Sequence, residues 1–318
     1  MGKRRTSFVR DLIDFKAKEN PSWQKRNIPS VETMLREIIE FQKHWDLVQN
    51  RFEIEELNKV NNDFFMQFIF RVNHEEGHGF ETYEETNHFL TNFESQLRKD
   101  ISIKERETVN LTSAHKYLVE VAEKENDTEL KGLLESSVLQ EMHKRIFQNI
   151  ELPRKLTKPG QFSNMRRYTQ FRGEKYEYPI LENMHEAVET LLDRYNSLLI
   201  SIKTEKDNLT KMYDLFKTCA VLLFELLDLH PFSDGNGRRS RLLCNYCLSV
   251  YTPFPTPIYN ISNGSSKDDY IQMLVDARKS SLRYPESLVT MIIECNWFGW
   301  RTYFKSLQTC KTVTCMTS

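Results

Sequence analysis

Residues 226–243 read LLDLHPFSDGNGRRSRLL: the apolar end of one helix, a polar loop with two glycines, and a basic restart. Upstream, Met212, Leu215, Phe216, Cys219, Leu222, Leu223, Leu226 and Leu227 recur at helical spacing on more than one side, which predicts a central buried helix ending at Leu229. Pro231 cannot continue that helix, and Gly235 and Gly237 let backbone N–H groups converge where side chains would obstruct. A second helix is predicted from Arg238 to about Val250. Its N-terminus offers unpaired amides and the positive end of a dipole, a ready site for an anion. Arg238 and Arg241 share one face and can clamp adjacent phosphates. Asp234 supplies a hard oxygen of the kind Mg²⁺ takes together with phosphate oxygens. His230 faces the loop, and an imidazole is suited to act as general base on a hydroxyl.

Outward from this segment the chain keeps a helical character. Only 10 Gly and 10 Pro occur in 318 residues, and charged residues interleave with Leu, Ile and Phe, so an all-α protein is expected. Residues 1–30 are polar and expected to be loosely held, with Ser30 placed to cap a helix whose apolar face includes Met34, Leu35, Ile38, Ile39, Trp45 and Val48. Gly77 and Gly79 break the helical run, Thr82 with Glu85 offers a capping box for the restart, and helices continue to about Ile150. Between Leu152 and Pro179 periodicity is lost, and YTQFRGEKYEY predicts a small hairpin turning at Gly173-Glu174. Met184, Val188, Leu191, Leu192, Tyr195, Leu198, Leu199 and Ile202 trace the face of a further helix.

Lys and Arg total 44 against 45 Asp and Glu, so no global field draws the chain to nucleic acid or anionic lipid, and partner choice lies in local sites. No window approaches the ~20 apolar residues of a membrane span and no signal-peptide core is present, so the expected location is cytoplasmic or nuclear. Met1-Gly2 with Thr6 and the terminal Cys315-Met316-Thr317-Ser318 loosely satisfy lipidation patterns. The cysteines at 219, 244, 247, 295, 310 and 315 fall mostly in apolar helical stretches and read as reduced core residues. His44, His74, His78, His88, His115, His143 and His185 show no metal spacing and are expected on the surface or satisfied in the core.

The segment HPFSDGNGRRSR is similar over twelve positions to the signature of the Fic-domain family. Glu141 to Ile146 resembles the helix before the Fic flap, Pro159-Gly160-x-Phe162 the flap approach, and Asp269 to Leu274 the helix that closes over the adenine. The resemblance extends from about Phe70 to Phe304. It implies a Fic-type helical bundle with a small β-hairpin flap and an N-terminal helical extension. The divisions that follow are 1–69 (tail and extension), 70–304 (Fic domain) and 305–318 (C-terminal tail).

The activity implied is that of a protein adenylyltransferase, moving AMP from Mg-ATP to a Ser, Thr or Tyr hydroxyl of a target protein. His230 would be the base, Asp234 the Mg²⁺ ligand, and Gly235, Asn236, Gly237, Arg238 and Arg241 the phosphate-binding set, with Tyr270 the ring contact of the base. A target protein would dock as an added strand on the hairpin at 166–178. Family members with an inhibitory helix carry a Ser/Thr-x-x-x-Glu-Gly/Asn pattern, to which Glu76-Gly77 corresponds, and pairing of Glu76 with Arg241 would block productive phosphate placement. Val72 stands at the Ser/Thr position, one residue is inserted, and Arg278 occupies a place where many relatives carry a small amide near the adenine. Alternatives from the same site are a phosphodiesterase that removes AMP from a modified protein and a non-catalytic binding module. Nothing in the sequence excludes a homodimer.

Overall fold

The buried helix at the centre, α7 (Asn208–Leu229), starts where the Asp207 carboxylate accepts the Thr210 N–H and is buried around most of its circumference, Asp214, Lys217 and Thr218 included. The structure is a computed structural model that describes residues 9–24, 28–93, 101–124, 132–153, 156–259 and 265–317, without the side chains of 310–317. Around α7 pack α1 (Val31–Val48), α6 (Met184–Lys203), α8 (Asn236–Ser249) and α10 (Glu286–Thr317). Leu222, Leu223, Phe224 and Leu226 are at most 2% exposed. Each such side chain contributes on the order of 1.5–3 kcal/mol through water exclusion.

A second group completes the bundle. α2 (Ile54–His74) lies against α8, α10 and α4 (Ile103–Lys124), while α3 (Tyr83–Asn92) and α5 (Ser136–Ile146) pack on the same side. Thr82 and Glu85 form the expected capping box, and the Ser30 hydroxyl accepts the Thr33 N–H at 3.2 Å. Strands β1 (Tyr168–Phe171) and β2 (Glu174–Glu177) pair antiparallel about Arg172-Gly173, both at positive φ. α9 (Lys267–Lys279) has its own capping box from Ser266 and Asp269. Ten helices and one two-stranded sheet are therefore present among the described residues, the all-α class with a hairpin.

One expectation is corrected, and the helices run across both proposed divisions. The N-terminal stretch is not loose throughout: Ile13, Phe15 and Ala17 are buried, Lys217 Nζ donates to Ile13 O at 2.9 Å, and Thr290 Oγ1 donates to Lys18 O at 2.7 Å. Boundaries at 69/70 and 304/305 both fall inside continuous helices, α2 and α10, with Leu307 still 1% exposed. The region from 305 is helical to Thr317, since the apolar face of α10 continues past Tyr303. The lipidation pattern at Met1-Gly2 lies outside the described residues, and of the one at the other end only the helical backbone of Cys315-Met316-Thr317 is described. Cys219, Cys244, Cys247 and Cys295 are buried free thiols. Among the described residues no helix is long and apolar enough to cross a membrane.

Candidate active site

His230 is the C-cap of α7 and takes the left-handed conformation, φ 50° and ψ 56°, with its N–H closing on Leu226 O at 3.0 Å. For a residue with a Cβ this costs about 1–2 kcal/mol, and it turns the ring off the helix and onto Tyr178. The two rings stack with centroids 3.7 Å apart and planes at 13°. His230 Nδ1 lies 3.3 Å from Leu227 O. A carbonyl only accepts, so Nδ1 carries the proton and Nε2 keeps its lone pair. Burial pushes the imidazole down to about 3, and Arg167, Arg239 and Arg278 act in the same direction against the pull of Leu227 O. His230 is thus a neutral proton acceptor at physiological pH.

The loop that follows is pinned internally. Asn236 Nδ2 donates to Phe232 O at 2.8 Å and its Oδ1 accepts the Phe232 N–H at 3.1 Å, which leaves its amide engaged in the turn. With that amide engaged, what Asn236 can offer an anion is its backbone N–H. Gly235 is at φ 70°, and a Cβ there would meet the Phe147 ring at 2.7 Å. His143, on α5, accepts the Gly160 N–H at Nδ1 (2.8 Å), and its Nε2 donates to Asp234 O (3.1 Å) while its ring stacks on Phe232. Burial and Arg239 push it down to about 3. It is a satisfied core histidine that ties α5, the flap approach and the loop together.

The sequence reading also passed over Arg239, which is fully buried, lies 4.3 Å over the Phe232 ring and reaches Asn236 Oδ1 at 3.3 Å. Burial pushes its guanidinium down to about 9. The one local signal was its place three residues after Asn236.

A clamp fixes the hairpin above His230. Asp228 Oδ1 accepts from the Tyr176 hydroxyl at 2.6 Å and from Arg278 Nε at 2.7 Å, and Asp228 Oδ2 pairs with Arg283. Arg278 also lies 4.0 Å over the Tyr176 ring. Its guanidinium is therefore engaged by Asp228 and the hairpin. Arg167 holds the hairpin base by donating to Ser163 O and Pro179 O.

At the other end of the loop, the first turn of α8 is occupied by a carboxylate. Glu76 follows α2 in the turn before Gly77, and its Oε1 accepts from Arg241 Nη2 at 2.7 Å. A Cβ placed on Gly237 would lie 2.3 Å from that oxygen, so only glycine admits the acid here. Val72 O takes a further bond from Arg241 Nη2 at 3.2 Å, which means the residue at the family's Ser/Thr position contributes its backbone. Burial pushes the Glu76 carboxyl up, but Arg241 and Lys267 outweigh it and hold it below the ordinary carboxylate range. The space beside Arg241 between Val72 and Tyr259 is about 10 Å³, room for about one water. Arg238 Nη1 and Arg241 Nε are buried without a hydrogen-bond partner among the described residues.

Tyr270 lies on the buried face of α9. Only 4% exposed, it packs on Tyr259 with centroids 4.8 Å apart, facing the core from α9 beside Met273, Leu274 and Ala277. It presents no open ring to a base. Asp234 is exposed, and its Oδ1 accepts the Gly235 N–H at 2.6 Å. Among the described residues no group of three or more His, Cys, Asp or Glu can hold a metal. A cation at Asp234 must complete its shell from phosphate oxygens and water, a donor set that suits Mg²⁺.

A base at the end of one helix, an anion cradle at the start of the next and a hairpin clamped above them are the parts of a Fic domain, and residues 133–248 match the model of the Fic/DOC family. The chain is therefore similar to Fic-domain proteins over that segment. Among known proteins it is 32% identical over 96 residues to a Fido domain-containing protein of Dictyostelium discoideum, an alignment covering 29% of this chain and 64% of that protein. It is 30% identical over 124 residues to the ribonucleoside-diphosphate reductase small chain of Ostreid herpesvirus 1, covering 38% of this chain and 19% of that protein. The chain thus spans less than two thirds of either relative. In fold it is similar to Fic-1 from C. elegans, with a TM-score of 0.66 at 19% identity over 88% of this chain and 73% of that one.

Proposed function

We propose that this chain is a protein adenylyltransferase whose nucleotide site is closed by Glu76. The observation that carries this is the anion cradle on α8: backbone amides, Arg238 and Arg241 converge there, and an acid of the chain itself already fills it. ATP phosphates take the place of the Glu76 carboxylate. His230 Nε2 accepts the proton of a Ser, Thr or Tyr hydroxyl, whose oxygen forms the new bond to the α-phosphorus as the α–β bridging bond breaks and pyrophosphate leaves. Mg²⁺ at Asp234, when bound, neutralises phosphate charge. The strand edge of the hairpin holds the target backbone.

Purified protein incubated with Mg-ATP and candidate targets, read by mass spectrometry, tests this. An adenylyl increment is expected to be strongest with Glu76→Gly and absent with His230→Ala; equal or lower labelling by Glu76→Gly counts against the closure by Glu76. The engaged Glu76–Arg241 pair also favours a second reading, in which the acid positions water to remove AMP from a modified protein. Release of AMP from pre-modified target by the unaltered chain separates the two.

A further inference from the structure

Lys267 is the first helical residue of α9, directly after the Ser266 cap. A cation there faces the positive end of the helix dipole; Asp268 and Asp269 are what that position favours. Its side chain instead crosses to the turn after α2, where Nζ donates to Glu75 O and lies 3.6 Å from Glu76 Oε2. Arg241 holds the other oxygen of the same carboxylate. One negative charge is therefore shared by two cations over Gly237, and Arg241 Nε has no hydrogen-bond partner among the described residues.

Departure of Glu76 leaves two adjacent cations and the α8 amides facing no anion. The group that matches this is a terminal phosphate, with charge near −2 and three acceptor oxygens, better than a carboxylate. Exposure divides the labour: the Arg241 side chain is 3% exposed and fixed, whereas that of Lys267 is 41% exposed and its ammonium can follow the ligand.

We propose that Lys267 is a further nucleotide ligand, passed from Glu76 to the terminal phosphate when the acid leaves the cradle; this rests on the adenylyltransferase reading. The test compares Mg-bound non-hydrolysable ATP analogue with Mg-ADP by calorimetry on full-length Glu76→Gly and on Glu76→Gly/Lys267→Met. Expected is a loss of about tenfold in analogue affinity on adding Lys267→Met, with ADP affinity little changed, and partial recovery with Lys267→Arg; one lost charge-assisted contact is of that order. An unchanged ratio of the two affinities, or an equal loss for both, overturns the proposal while leaving the nucleotide site standing. Failure of Glu76→Gly itself to bind either nucleotide overturns the underlying reading instead.

Discussion

At the α7 end of the loop His230 is held by a stacked tyrosine ring and a carbonyl; at the α8 end Glu76 is held by two cations. The first set of contacts is aromatic and backbone, reinforced by the Asp228 clamp on the hairpin, and no soluble anion competes for it. The second set is charge on charge, and a triphosphate offers more charge than one carboxylate. On the proposed function, the proton acceptor is built in place, whereas the cradle is built to exchange its occupant.

Removing the base should break the two ends apart most sharply. His230→Ala is expected to lower transfer by about 10²–10⁴-fold while nucleotide affinity measured by calorimetry stays within about threefold of that of the unaltered chain. Parallel loss of both would mean the ends are not independent.

Asp228→Asn attacks the clamp instead. It leaves the buried Arg278 without its carboxylate and is expected to cost about 2 kcal/mol in urea unfolding and to slow transfer, with no effect on analogue affinity at the cradle.

Acid should unsettle the ends in sequence. The folded protein disfavours protonation of His230 and His143, both pushed to about 3. Their contribution is complete above the unfolded imidazole value near 6.5 and declines as pH falls from there toward 3. Glu76, held low by its cations, contributes above the ordinary carboxylate range and loses that contribution only at lower pH. Urea midpoints between pH 7.5 and 4.5 should therefore fall with acid, and His143→Asn should remove about 1.4 kcal/mol per pH unit from the slope.

What could be read in advance was local. The capping box at Thr82, the Ser30 cap, the hairpin at Gly173 and the end of α7 at Leu229 depend on residues within a few positions, and they stand where expected. The helix–loop–helix that carries His230, Asp234, Arg238 and Arg241 was legible for the same reason, since its residues are contiguous. What escaped reading depends on distant partners. His143 meets Asp234 across 91 positions, Lys217 meets Ile13 across 204, and Lys267 reaches back to Glu76, none with a local signature. The packing of Tyr270 on Tyr259 was not legible, because helical spacing gives a residue's face but not what that face packs against. The use of the Asn236 side chain was not legible, because an amide can serve a ligand or a turn and only the turn's closure shows the second.

The central claim is that Glu76 stands where nucleotide phosphates bind, and calorimetric titration of Mg-bound ATP analogue into the unaltered chain and into Glu76→Gly tests it directly. Affinity should rise by about tenfold or more on removing the acid, within the range of 1–3 kcal/mol expected for two coupled occupants. Equal or weaker binding by Glu76→Gly would contradict it.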